Sequence, residues 1–153
     1  MIRVKSKIDE PQPAVVALAD QLHSAAIHIL RQVRKQDVAT GQGPARLSAL
    51  SVLVFGGAKT LGELAAAEQV KPPTMSRIVS ALASSRLVEI TADTEDARRM
   101  HIVATPKGAR LLHKARRLRI ELLASYLEKL SPEELTKVGE AVEILQEVLA
   151  KWR

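Results

Sequence analysis

The chain is predicted to be mainly α-helical with one small β element, and three observations carry that prediction. Apolar residues recur every three or four positions over 14–34, 106–130 and 132–152, the stripe of an amphipathic helix. The period shortens to two only over 87–104. Charge is divided: between Arg98 and Arg119 stand eight Lys and Arg and no Asp or Glu, whereas from Ile120 onward seven Glu face four Lys and Arg, a net of −3. The 153 residues are one domain's worth, enough to bury roughly 70% of the unfolded surface. The absence of cysteine excludes disulfides, thiol switches, Cys-ligated zinc and Cys nucleophiles. Phe55, Tyr126 and Trp152 are the only aromatics, so the core is aliphatic and base-stacking platforms are not expected. The net charge of +6 favours a polyanionic partner.

Residues 1–13 carry Arg3, Lys5 and Lys7, then Asp9, Glu10 and two prolines, with no apolar run behind the charges; they read as a flexible cytoplasmic tail. No stretch approaches the ~18 apolar residues of a membrane span, so no membrane partner is expected. A first helix runs through 14–37 with Val15, Leu18, Leu22, Ala25, Ile29 and Val33 on one stripe. Gly41-Gln42-Gly43-Pro44 ends it. Leu47–Phe55 is a shorter, more uniformly apolar helix, expected to be buried and stopped by Gly56-Gly57. Thr60 and Glu63 have capping-box spacing and open a helix of two to three turns. After a turn near Glu68–Val70, Pro72 and Pro73 can stand only at or before the first turn of the next helix, Thr74–Ser85, which turns Met75, Ile78, Val79 and Leu82 inward.

Leu87–Ile90 and Met100–Ala104 then read as a β-hairpin with the polar, basic loop 92–99 at its tip. Pro106 opens a long helix to about Leu130, with Leu111, Ala115, Leu118, Leu122 and Tyr126 on its stripe. Ser131-Pro132-Glu133-Glu134 is a second capping box, and the last helix presents Leu135, Val138, Val142, Leu145, Leu149 and Trp152 in a 3-4-3-4-3 pattern that faces another helix. Helix, tight turn, helix and two-stranded wing is the winged helix-turn-helix order. Residues 47–105 therefore form the winged unit. The helices 14–37 and 106–153 are more apolar than such a unit can cover, so N- and C-terminal dimerisation helices are expected, with Leu18, Leu22, Leu122, Leu135, Val138, Val142, Leu145 and Leu149 in the interface.

The second helix of such a unit enters the major groove. Thr74 and Ser76 hydroxyls, with backbone N–H groups at the helix start, suit phosphates or base edges; Arg77 can fork onto guanine O6 and N7, or clamp a phosphate. Lys71, Pro72 and Pro73 complete this edge, Lys71 as a generic phosphate contact. Arg98 or Arg99 suits the negative minor groove, and Asp96 is read as the salt-bridge partner that orients one of them. No catalytic site is expected: His23 and His28 share no helix face well, His101 and His113 lack companions in a ligand pattern, and no Gly-rich phosphate loop or nucleophile elbow occurs. The chain is thus expected to be no enzyme, without metal or cofactor.

Thr60-Leu61-Gly62-Glu63-Leu64-Ala65, Val70-Lys71-Pro72-Pro73-Thr74-Met75-Ser76-Arg77-Ile78-Val79, Leu87-Val88, Asp93-Thr94-Glu95-Asp96-Ala97-Arg98-Arg99 and Thr105-Pro106-Lys107-Gly108 together closely resemble the MarR family of bacterial regulators, in its order and spacing. Two positions depart from the family's habit: Arg86 where Gly often precedes Leu-Val, and Ala104 where Leu often precedes Thr. The resemblance implies a homodimeric repressor on a pseudo-palindromic double-stranded operator. It also implies Asp96 and Arg98 at the wing tip, and a small aromatic or anionic effector between the dimerisation helices and the winged unit. Arg31, Arg46 and Arg110 are the cations expected nearest that effector. Two other readings stand beside this one: a winged-helix protein-interaction module, which would expose apolar residues on the recognition helix, and a nonspecific architectural DNA binder, separable by its specificity ratio.

Overall fold

The computed structural model describes residues 12–92 and 100–152. In chain order they form α1 (Pro13–Arg34), a short 3-10 helix (Lys35–Thr40), α2 (Pro44–Gly56), α3 (Leu61–Ala67), α4 (Pro72–Ser84), β1 (Val88–Ala92), β2 (Met100–Ala104), α5 (Pro106–Leu127) and α6 (Pro132–Ala150). The fold is thus mainly α with a two-stranded antiparallel wing. The tail up to Pro11 and the loop holding Asp96, Arg98 and Arg99 lie outside the described residues.

Proline sets the helix starts around the winged unit. Pro44, Pro72 and Pro106 each occupy the first helical position, where a missing N–H costs nothing and φ is already helical. Hence α2 begins at Pro44 instead of Leu47, and α4 takes both Pro72 and Pro73 inside its first turn instead of beginning at Thr74. Gly57, at φ 76°, stops α2. Both capping boxes form as the spacing predicts. The Thr60 backbone N–H, and then its hydroxyl, hold the Glu63 carboxyl below its ordinary range, and Ser131 does the same to Glu134. A lowered folded-state pKa means that these caps contribute above the ordinary carboxylate pKa and are lost as pH falls through the lowered one.

The wing pairs Val88 with Ala104, Ile90 with Ile102 and Ala92 with Met100. Lys59 adds a third rung, its N–H donating to the Ile102 carbonyl at 3.2 Å while Ile102 N–H donates back at 2.8 Å. One residue between two helices leaves no periodicity to read, so this rung has no signal in the sequence. Leu50, Leu64, Met75, Leu82 and Leu87 are fully buried and join all elements from α2 to α5 in one aliphatic core. Phe55 is the exception on α2: expected inside, it is 64% exposed.

Both helix-turn-helix helices end in a Schellman motif without glycine. Gln69 at φ 53° and Arg86 at φ 58° take the left-handed position. Val70 N–H then reaches the Ala65 carbonyl, and Leu87 N–H the Leu82 carbonyl at 2.9 Å. For an L side chain that conformation costs about 1 kcal/mol relative to glycine. Arg86→Gly is therefore expected to raise the unfolding free energy by about 0.5–1 kcal/mol, part being offset by the freer unfolded chain. A thermal melt checks this; a lower midpoint would show that the Arg86 side chain stabilises the fold.

Thr105 knots the end of the wing to α5. Its hydroxyl donates to the Arg86 carbonyl at 2.9 Å and accepts the Gly108 N–H at 3.0 Å, and its own N–H donates to the Leu87 carbonyl. α5 thus starts inside the winged core, where Leu112 and Ala115 are buried, and leaves it toward α1. The other long helices are nearly uncovered: Val33 is the only buried residue of α1, and α6 has none. Contrary to the expectation that no segment is long and apolar enough to cross a membrane, Pro13–Thr40 passes that test, with a mean hydropathy of 1.2 over 18 residues. A helix whose apolar stripe awaits another helix passes it equally.

Candidate nucleic-acid interface

α3, the turn at Glu68–Val70 and α4 set the edge that the sequence singles out. Met75, Val79 and Leu82 anchor one face of α4 in the core. Their spacing turns Lys71, Pro72, Pro73, Thr74, Ser76 and Arg77 outward, and all six are exposed. Arg77 has no carboxylate or carbonyl partner among the described residues, so its five donors are open. The surface is polar, small at its leading edge and cationic behind.

Most of the expected backbone contribution is absent. Pro72 and Pro73 have no N–H, and the next two donors, of Thr74 and Met75, both turn back onto the Lys71 carbonyl at 3.0 and 3.2 Å. Lys71 is the N-cap and provides no side-chain cap. An anion at this terminus meets side chains and, of the four terminal N–H groups, only that of Lys71. Of the wing, the strands up to Ala92 and from Met100 flank the loop that carries the remaining expected contacts.

Away from this edge, α1, α2 and the middle of α5 line an open cleft of about 390 Å³ with Leu30, Leu47, Phe55 and Leu112 as apolar wall. The ring of Phe55 meets His113 edge-on at 6.1 Å. The cations here are not those expected. Arg46 bonds Gln42 at 3.3 Å, and neither it, Arg31 nor Arg110 lines the cleft; Arg34, Arg116 and Arg119 do. Arg119 is already engaged, donating Nε and Nη2 to the two carboxylate oxygens of Asp37 at 2.8 Å each. Asp37, a residue the sequence does not single out, is 1% exposed. A signal for it exists, since Asp37 is the only acid between Asp20 and Glu63 in a stretch holding five Lys and Arg.

Two apolar grooves run along the uncovered helices. One, of about 500 Å³, lies between α1, α5 and α6 and takes in Leu122, Val138 and Val142; the other, of about 480 Å³, sets Leu22 of α1 against Leu145 and Leu149 of α6 and Trp152 just beyond it. Leu18 and Leu135, at 65% and 41% exposure, extend the same faces.

No protein-family model matches the chain. An uncharacterized HTH-type transcriptional regulator of Mycobacterium bovis is 34% identical over 128 residues, which are 84% of this chain and 90% of the relative. Among solved structures, a MarR family protein from Bacillus stearothermophilus superposes with a TM-score of 0.77 at 23% identity, over 92% of this chain and 99% of that one. A Staphylococcus aureus MepR variant bound to an oligodeoxyribonucleotide superposes with a TM-score of 0.68 at 19% identity, over 86% and 97%.

Proposed function

The chain belongs to the MarR family of HTH-type transcriptional regulators, and from that membership we propose that it is a cytoplasmic repressor which grips a pseudo-palindromic duplex operator as a homodimer. The observation that carries the proposal is the leading edge of α4, where Lys71, Thr74, Ser76 and Arg77 are exposed together with no apolar side chain among them larger than proline. A docking module for another protein would present apolar residues there. Thr74 and Ser76 are short enough to let α4 lie deep in the major groove, and Arg77 reads a guanine edge from it. Arg98 and Arg99 take the wing's phosphate or minor-groove contacts, with Asp96 orienting one of them.

Dimerisation completes the function. Two α4 helices enter successive major grooves only if held about 34–36 Å apart, so the unit that covers α1, α5 and α6 also sets operator spacing. Leu18, Leu22, Leu122, Leu135, Val138, Val142, Leu145 and Leu149 are assigned to it. The cleft between α1, α2 and α5 is assigned to a small aromatic or anionic effector that changes this spacing, with Arg34 and Arg116 as its first cations.

Arg77→Ala is expected to cost about 1–3 kcal/mol on a duplex selected from a random pool and to flatten discrimination at one base position. Arg98→Ala and Arg99→Ala should weaken selected and random duplex more evenly, lowering the salt slope by about one for each phosphate left without its cation. Titrations at several salt concentrations separate the two patterns. Unchanged binding in all three variants would point to the protein-interaction reading.

A further inference from the structure

We propose that the Asp37–Arg119 ion pair is a latch through which an anion in the cleft acts on the winged unit; the inference rests on the effector reading above. Arg119 stands in two places at once. It lines the cleft, and it holds both oxygens of a carboxylate whose side chain is 2% exposed. Asp37 belongs to the 3-10 helix that joins α1 to the winged unit, and Arg119 belongs to α5, which joins the winged unit to the last helix. The pair therefore pins one connection to the other. Nothing else among the described residues engages the Asp37 carboxylate.

Three guanidinium groups and no carboxylate line the cleft; Asp37, which is not itself part of the wall, takes up the charge of Arg119, and Arg34 and Arg116 are left to face the cleft as cations. Arg34 and Arg116 are exposed and have no carboxylate partner among the described residues, which makes them the point of entry for an anion. A flat carboxylate of benzoate size fits the volume against Leu30, Leu47 and Phe55. Once inside, it becomes a rival to Asp37 by taking the Nε–Nη2 edge of Arg119, which serves one carboxylate at a time; a ligand on the Nη1 edge would leave Asp37 paired. If Arg119 turns to the ligand, Asp37 is left charged and buried, and the segment 35–40 must open to water. Opening that segment loosens α1 from the winged unit. A ligand held by Arg34 and Arg116 alone would leave the latch shut.

The test takes the full chain, benzoate as probe and a duplex selected from a random pool. In the wild type, benzoate is expected to bind, to weaken duplex binding, and to raise amide hydrogen exchange across 35–40. Asp37→Asn releases Arg119 without the ligand. It should bind benzoate about tenfold tighter and the duplex about tenfold more weakly, within the usual range of coupling between sites, and benzoate should no longer change duplex affinity. Asp37→Asn combined with Arg119→Gln replaces the ion pair by two neutral amides; it should keep the duplex affinity and lose the benzoate response. Saturating benzoate without a change in exchange at 35–40, or a wild-type benzoate response in either variant, overturns the latch. No benzoate binding to the wild type overturns the effector reading, and the latch with it. Weaker benzoate binding in Arg34→Gln and Arg116→Gln, with unchanged duplex release in Asp37→Asn, would keep the effector reading and discard the latch alone.

Discussion

Leu145→Glu is expected to turn the protein into monomer or aggregate. Leu145 lines, with Leu22 and Trp152, the groove that α1 and α6 form, on a helix without one buried residue. Leu149 at 53% and Trp152 at 79% exposure flank it. A single chain that leaves this much apolar surface on three helices has an unfinished core, and the proposed second copy would finish it by the same 3-4 spacing of apolar residues that built the helices. A carboxylate placed there would be buried without a partner, at a cost of several kcal/mol, enough to undo association. Lys137→Ala is the control, because Lys137 is exposed and its ion pair with Glu133 is a surface one of little worth. Sedimentation distinguishes the outcomes: a Leu145→Glu dimer of wild-type stability would mean that the apolar faces of α1 and α6 are not the interface.

Gly108→Ala is expected to be the most damaging methyl that can be added to the winged unit. A Cβ at Gly108 would overlap the Leu87 carbonyl oxygen and stand 3.1 Å from Leu50 Cδ1. The Leu87 carbonyl is backbone and already accepts from Thr105, so it cannot swing aside without undoing the join of wing and α5. A forced backbone shift in a packed core costs about 3 kcal/mol or more. Gly62→Ala offers the contrast, with nothing within 4 Å of the added carbon, and should gain about 1 kcal/mol from helix propensity. A denaturant titration of both variants measures the difference; equal stabilities would mean that β1 and α5 are not locked together there.

How much of this is legible in the sequence depends on the range over which each feature is encoded. Capping boxes, the proline-led helix starts and the alternation in the wing are local, and they place nearly every element to within three residues. The exposure of Lys71 to Arg77 follows from the helical period once Met75, Val79 and Leu82 are set inward. The Asp37–Arg119 pair is hidden because its partners are 82 positions apart and no local pattern links them. The cleft cations differ from expectation for a related reason: which arginine of α1 or α5 turns toward α2 depends on how the helices cross, and Arg46 bonds Gln42, just before its own helix. The missing backbone donors at the start of α4 are readable, since two consecutive prolines remove two N–H groups whatever the fold.

Whether the protein reads sequence in duplex DNA as a dimer is tested most directly by a ratio of affinities. The two duplexes are one selected from a random pool and a scrambled one of equal length, compared at about 0.15 M salt, with a footprint of the selected one. A ratio of at least about 10³ is expected. Two protected half-sites related by a pseudo-dyad are expected with it, centred one helical turn apart at about 10–10.5 base pairs. Equal affinity for both duplexes, or a single unpaired footprint, would contradict sequence reading by a dimer.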